Sequence, residues 1–396
     1  MKTKTPNRLI PTITVVATFL FLFLVFKTRA NTLFSYHEGW CTFYYDSHYI
    51  CDNLTSYDGI CKLAKGFVLQ FFAHHWHGAL LYSCFFSLIA FIAVNIAATH
   101  LKSTIKKITA GAACFILSIT LALFTIGSIC QINLMSVIYT RNASQIVNMQ
   151  YMTANHYSRM GDWDRVIDVC KKYRPVTFLP LQNCLNMALA EKGELGEKLM
   201  EEPCQDISSV FTNQIPNEYI AGLLSDVYYS MGHIAQSQRY AFEANEKLDN
   251  LSPRMLQRLV QTNIIYGQYS VAEKYLYWLE RTIYYKEWCK EQRQLIKNHS
   301  LLNKNKEYAE KRRCLIKDNR FSGIHGLDDD LRQIASATRG THQCKTTLQF
   351  LGALYILAGY TTEFKEMVSQ YKEELGEPLP KIIDAYNNHI SNKESK

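Results

Sequence analysis

Three histidines stand within four positions at the start of an apolar run, in the stretch FFAHHWHGALL that begins at Phe71. His74 and His77 are three residues apart, so a helix through them would place both imidazoles on one face, where they could ligate a transition metal or a haem. A haem held between two helices needs a ligand from the second helix, and no other long apolar run contains a histidine. We therefore predict that the chain holds no metal and no cofactor.

The neighbours of these histidines indicate a position at the boundary of a membrane. Amphipathic aromatic rings collect at the membrane–water interface, and histidine, neutral or partly charged, tolerates the same depth. The residues predicted to lie at this interface are Phe71, Phe72, His74, His75, Trp76 and His77.

Carboxylates that could support acid–base chemistry are few in the N-terminal third of the chain. Residues 31–65 contain Glu38, Asp46, Asp52 and Asp58, and these would be the acids of an envelope glycan or lipid transferase working where this loop meets the membrane. The chain has no Walker A sequence, no Gly-x-Ser-x-Gly, no His-Glu-x-x-His and no dinucleotide fingerprint. We therefore favour a non-enzymatic role and keep the transferase as the alternative.

The twelve cysteines fall into three groups and contain no Cys-x-x-Cys motif, so a thioredoxin-type redox site is not expected. Cys84, Cys114 and Cys130 lie in apolar runs, three more lie in the loop 31–65, and six lie beyond residue 140. An oxidising exterior would permit disulfides. Their spacing leaves the connectivity open.

Three apolar runs are long enough to cross a bilayer, which takes about 20 residues of helix. The first extends from Leu9 to Phe26 and is predicted to be an uncleaved signal anchor, because it is longer than the core of a signal peptide and the best cleavage site contains Arg29. The second run is predicted over about 67–98 and the third over about 108–138.

Charge sets the expected orientation. Lys2, Lys4 and Arg8 precede the first run, and three lysines with no acid join the second run to the third, so both segments are predicted to be cytoplasmic. The loop 31–65 holds all four acids of the N-terminal third and should lie outside, as should residues 141–396, although Lys27 and Arg29 fall on the outer side of this scheme. We predict a multi-pass membrane protein with an extracytoplasmic C-terminal domain.

The stretch KGFVLQFFAHHWHGALLYSCFFSLIAF resembles a pattern in an uncharacterised family of bacterial polytopic inner-membrane proteins. The positions that carry the resemblance are Gly66, Phe67, Gln70, Phe71, Phe72, Trp76, Gly78, Ala79 and Leu80. The resemblance implies a location in the bacterial inner membrane and an outer tail built as a tetratricopeptide (TPR)-like helical array. Members of the family carry aromatics, proline or leucine at the histidine positions, which favours the interface role over ligation, and they tend to have more spans. No activity can be transferred from them.

The outer region repeats a helix–turn–helix pattern. A glycine marks each turn, at Gly161, Gly193, Gly232, Gly267 and Gly359, and the first four are spaced 32, 39 and 35 residues apart, near the 34 of a TPR. Tyr157, Tyr228 and Tyr355 occupy the aromatic packing position of the repeat. Between residues 290 and 343 the pattern fades; Asp328 or Asp329 is predicted to cap a helix near Leu331, and Lys311–Arg313 are interpreted as a solvated face.

The predicted fold is therefore all-α, with three transmembrane helices followed by a TPR-like α-solenoid. The predicted regions are a signal-anchor span at 1–30, an extracytoplasmic loop at 31–65, two transmembrane helices at 66–140 and the helical repeats at 141–396. Ten of the 43 basic and four of the 35 acidic residues precede residue 141, so the repeat region is nearly neutral and nucleic-acid binding is not expected.

Stacked helix pairs present a concave face that usually binds segments of other proteins. In the register of the repeat, this face is predicted to contain Tyr151, Asn155, Arg159, Asp226 and Tyr229. The sequence thus favours a membrane-anchored scaffold of the cell envelope that binds a protein partner outside the cytoplasmic membrane.

Overall fold

The computed structural model of the protein describes residues 6–74, 76–101, 103–130, 143–172, 177–201, 206–211, 217–316 and 326–375. It divides into two compact units, unit 1 (residues 1–149) and unit 2 (residues 150–396). The residues described are helical and contain no β-strand, which confirms the all-α prediction for that part of the chain.

Unit 1 contains three helices long and apolar enough to cross a membrane. They are α1 (Pro6–Val25), α5 (His77–His100) and α6 (Thr104–Cys130), and their membrane-compatible segments run over Leu9–Thr28, His77–Ala97 and Thr104–Thr125. The three helices pack on one another through small side chains such as Thr18, Ser83 and Ala90, which are buried. Small residues let helices approach closely in a membrane, where apolar burial provides little drive for association.

The predicted loop 31–65 is also helical. It forms α2 (Asn31–Glu38), α3 (Ser47–Thr55) and most of α4 (Gly59–Leu69), joined to α1 by a π-helical turn at Phe26–Ala30. Asp46 caps α3, because its carboxylate accepts hydrogen bonds from the backbone N–H groups of His48 at 3.0 Å and Tyr49 at 3.2 Å.

The second span begins ten residues later than the sequence predicted. The apolar run from about residue 67 is broken by a 3₁₀ turn at Gln70–Phe72, and the spanning helix starts at His77. The buried ring of Phe72 occupies the space next to Gly78, where an added Cβ would lie only 2.5 Å from the ring. Packing of this ring turns the chain where hydropathy alone indicates a continuous helix.

Unit 2 is an array of helices joined mostly by short turns. Its first half is α7 (Ala143–Arg159, which begins in unit 1), α8 (Trp163–Lys171), α9 (Leu179–Glu191), α10 (Leu195–Lys198), α11 (Ile207–Val210), α12 (Glu218–Met231), α13 (Ile234–Glu246), α14 (Pro253–Tyr266) and α15 (Tyr269–Leu279). Its second half is α16 (Lys286–Lys297), α17 (His299–Lys304), α18 (Lys306–Arg313), α19 (Leu327–Ala337), α20 (His342–Ala358), α21 (Thr361–Gln370) and α22 (Lys372–Leu375).

The five predicted turn glycines each lie between two helices, with positive φ from +69° at Gly161 to +89° at Gly232. This left-handed conformation favours glycine, because a Cβ crowds the backbone there. Sequence spacing therefore located the helix–turn–helix units correctly. The capping prediction was wrong, since α19 begins at Leu327 and the acids Asp328–Asp330 lie within its first turn.

The order of packing differs from that of a linear solenoid. From α12 to α16 each helix packs on the next, as expected of stacked pairs. Helix α20, however, packs on α9, α10, α11 and α12 as well as on α19 and α21. The last helix pair therefore folds back beside the second and third pairs.

Two turn glycines provide a matched pair of substitutions. Gly267→Ala should lower the free energy of unfolding by about 1–2 kcal/mol. Its φ of +76° strains any L side chain, although nothing lies within 4 Å of the new Cβ. Gly232→Ala should cost roughly 1 kcal/mol more, since its Cβ would lie 2.9 Å from Gln343 Nε2 and 3.0 Å from Cys314 Sγ. Pulse proteolysis in urea of the full-length chain in nanodiscs measures the free energy of unfolding of both variants. Equal losses of stability in the two variants would contradict the packing at Gly232.

Candidate functional site

Three of the five residues predicted to line a concave face belong to one polar network inside unit 2. This network consists of Asn155, Asp226, Tyr229, Arg254, Arg258, Glu307, Lys311 and Gln343. Asn155 is fully buried and Tyr229 is 7 % exposed. The face that the sequence predicts to be open is therefore interior at these positions.

Asp226 of α12 is the centre of the network. Its two carboxylate oxygens pair with Arg254, which also donates to Asn155 Oδ1 of α7, and with Arg258, at 2.9 Å. Burial alone would raise the pKa of Asp226, but the two guanidinium groups outweigh burial and lower it. The carboxylate is thus ionised and ties α7, α12 and α14 together.

Tyr229 lies next to this ion-pair cluster and contacts two cations. The guanidinium of Arg258 is 3.6 Å and the ammonium of Lys311 is 4.5 Å from the centre of its ring, within the range of cation–π attraction. Burial raises the pKa of the Tyr229 phenol, which stays protonated and donates to Glu307 at 2.6 Å. Tyr229 therefore connects α12 to α14 and α18.

Lys311 extends the network to the last helix pair. Its buried ammonium donates to the backbone carbonyl of Tyr229 and to Gln343 Oε1 of α20. The amide of Gln343 donates in turn to Ser230 O at 2.9 Å and Thr347 Oγ1 at 3.0 Å. Burial lowers the pKa of Lys311, so its charged form depends on these acceptors.

The remaining two predicted residues behave differently. Arg159 is half-buried and donates to Gln257 Oε1 at 3.0 Å and to the Tyr285 hydroxyl at 2.7 Å. Tyr151 is 7 % exposed, with its ring 5.9 Å from that of Phe178 in an edge arrangement. Tyr151 thus contributes to packing, whereas Arg159 reaches the surface.

Some polar side chains in this region are accessible to solvent, and we call this set the accessible edge. It consists of Arg159, Gln257, Gln261 and Glu307, which are half-buried or exposed. These side chains offer guanidinium and amide donors together with one exposed carboxylate. Such a mixture suits hydrogen bonding to a polypeptide segment.

Sequence reasoning missed most of the residues that hold the network together. Arg254 and Arg258 are four apart on α14, and the repeat register that selected Asp226 would have placed them on the same side of the helix pairs. The interpretation of Lys311–Arg313 as a solvated face is wrong for Lys311, which is 7 % exposed. Its burial depends on α20 returning to α12, which repeat spacing does not indicate.

The predicted interface residues of unit 1 separate into two environments. Phe72 is buried, with its ring 4.4 Å from Phe34 and 5.5 Å from Tyr82, whereas His74 and Trp76 are exposed. His77 is the first residue of α5, and its ring stacks on that of His74 at 4.6 Å. His75 lies outside the described residues.

Potential metal ligands do not cluster in the part of the chain that the structure describes, where no group of three His, Cys, Asp or Glu side chains could hold an ion. Of the four loop acids, Glu38 is fully buried, Asp46 caps α3, and Asp52 and Asp58 are exposed. Cys184, Cys289, Cys314 and Cys344 are buried free thiols, Cys170 is also buried, and Cys51 and Cys61 are exposed free thiols.

The chain belongs to a family of unknown function (DUF6057), whose model matches residues 6–141 and 132–385. This result confirms the resemblance to an uncharacterised family. Searches with the chain found no match among curated proteins and none among solved structures.

Proposed function

We propose that this member of the family is a membrane-anchored interaction protein of the bacterial cell envelope. Three spans would hold a TPR-like helical unit at the outer face of the inner membrane, where the accessible edge binds a segment of a protein partner. The observation that carries the proposal is the combination, in one chain, of three span-length helices with a separate unit built from helix pairs.

The order of the spans supports the proposed orientation. Three consecutive spans place the N-terminus of α1 on the same side as the connection between α5 and α6. Lys2 and Lys4 precede α1, Lys102 lies in the connection, and Lys106 and Lys107 follow at the start of α6, with no acid near them. This charge pattern favours the cytoplasmic side for both segments and the outer side for the chain that follows α6.

The polar network supports a scaffold role for unit 2. Buried charges are costly unless they are paired, and here they join α7, α12, α14, α18 and α20 through defined hydrogen bonds. Such a network fixes the relative positions of the helices. A fixed framework lowers the ordering cost when a partner binds to the accessible edge.

The alternative function, a glycan or lipid transferase at the membrane, depends on the loop acids. Asp46 has a structural role as a helix cap and Glu38 has no solvent exposure. Asp52 and Asp58 remain as exposed carboxylates. This distribution supports the scaffold over the transferase.

Site-specific photo-crosslinking in living cells tests the proposal. A photoreactive residue at Gln257, on the accessible edge, should capture a defined envelope protein. The same residue at Ser270, exposed on α15 of the same helix pair, should capture none and serves as the matched control. Equal capture at both positions, or copurification of a glycan or lipid without any protein, would contradict the proposed function.

A further inference from the structure

Helix α4 exposes an apolar face that the described residues of unit 1 leave largely uncovered. The exposed residues of this face are Ile60, Cys61, Ala64 and Phe67. Ile60 is 64 % and Phe67 is 47 % exposed, and their spacing puts both on one side of the helix. This face contains no charged residue, while Lys62 and Lys65 are half-buried at other angles around the helix.

The apolar surface continues into the turn that precedes α4. Tyr57, in this turn, is fully exposed, and Leu54, near the C-terminal end of α3, is 55 % exposed, so two more large apolar side chains lie close to α4 in the chain. The neighbouring helix α3 is more polar, because Ser47, His48, Asp52 and Thr55 are among its exposed residues and Leu54 is its one exposed large apolar side chain. The two helices of this hairpin are therefore suited to different surroundings.

The position of α4 relative to the spans indicates what covers its apolar face. Helix α4 leads through the 3₁₀ turn at Gln70–Phe72 into α5. The Phe72 ring lies 6.4 Å from Phe26, near the end of the first span, and 5.5 Å from Tyr82, near the start of the second. The C-terminal end of α4 is thus held at the level where both spans reach the membrane boundary.

We propose that α4 lies in the membrane surface, with Ile60, Cys61, Ala64 and Phe67 inserted among the lipids while α3 faces water. Amphipathic helices of this kind bury their apolar face about 5–10 Å into the headgroup region. Lys65, at the edge of the apolar face, is placed to approach lipid phosphates. The inference rests on the membrane insertion of the proposed function and assigns a lipid contact to a segment most of which the sequence predicted as part of an extracytoplasmic loop.

Two native cysteines allow a direct test. Cys61 lies on the apolar face of α4 and Cys51 lies on the polar face of α3, and both are exposed. The full-length chain, with its other reactive cysteines replaced by serine and one of these two retained, is labelled with bimane. It is then reconstituted in vesicles of phosphatidylethanolamine and phosphatidylglycerol. Quenching is measured with iodide in the water phase and with lipids that carry a nitroxide near the headgroup.

We expect the nitroxide lipids to quench the Cys61 label several-fold more than the Cys51 label, and iodide to show the reverse order. Quenching of both labels by iodide alone would overturn the inference. A Cys61 label shielded from iodide and also from nitroxide lipids would overturn it in favour of a second copy covering the face. Flotation of the vesicles distinguishes failure of this inference from failure of the proposed function. A chain that does not float with the vesicles would contradict the proposed membrane anchoring itself.

Discussion

Replacing Asp226 with alanine should lower the free energy of unfolding of unit 2 by about 3–5 kcal/mol, the usual loss when one partner of a buried ion pair is removed. The side chains of Asp226, Arg254 and Arg258 are 13 %, 6 % and 16 % exposed, so water cannot replace the missing carboxylate. Two guanidinium groups would remain in the interior without the anion that both of them contact. The loss should therefore exceed that of the other substitutions proposed above.

Pulse proteolysis in urea of the full-length chain in nanodiscs measures this loss. Asp226→Asn should have a smaller effect, because the amide oxygen still accepts a hydrogen bond although the charge is gone. Glu307→Ala is the matched control: Glu307 also bonds within the network but is exposed, so its removal should cost about 1 kcal/mol or less. A loss below that level for Asp226→Ala would contradict the pairing described here.

The same ion pairs predict how stability depends on pH. The pKa of Asp226 in the folded protein is lowered from its ordinary value of 3.8, so its contribution is fully present above that value. The contribution is lost as the pH falls through the lowered pKa, where the folded protein must also take up the proton. Asp226→Ala should therefore remove part of the acid sensitivity of unit 2.

The turn glycines show what could be predicted from the sequence. A left-handed turn between two helices strongly favours glycine, so a glycine such as Gly161, Gly193 or Gly267 directly indicates the backbone conformation at the turn. The spacing between the turns then predicted the positions of the helix pairs along the chain. These features depend only on residues close together in the chain.

The network could not be predicted in the same way, because it depends on where distant helices meet. Arg254 contacts Asn155, 99 residues earlier, and Lys311 contacts Tyr229, 82 residues earlier. The repeat register assigned Asn155, Asp226 and Tyr229 to one open face, whereas in the structure they belong to one largely buried network. It could not show that long arginine and lysine side chains, together with the returning α20, fill that face.

Unit 1 shows the same limit at the HHWH stretch. Hydropathy indicated one continuous span from about residue 67, whereas the packing of Phe72 beside Gly78 separates α4 from α5. Exposure then distinguishes Phe72, which is buried, from Trp76, which is not. A single sequence gives no sign of this difference, since both residues are aromatic and both adjoin the apolar run.

The orientation of the chain across the membrane is predicted to give an all-or-none result with cysteine labelling. Ser103, in the connection between α5 and α6, and Ser369, on α21, are both exposed and tolerate a small side chain. Each is changed to cysteine in turn, in a background without other reactive thiols. That background without an added cysteine, which should not be labelled, serves as the control for specificity.

A membrane-impermeant maleimide applied to intact spheroplasts tests the central claim, that three spans present the helical unit outside the cytoplasmic membrane. Cysteine at position 369 should be labelled in intact spheroplasts, and cysteine at position 103 only after they are lysed. Labelling of position 103 but not of position 369 before lysis would place the helical unit in the cytoplasm and would contradict the proposed envelope scaffold.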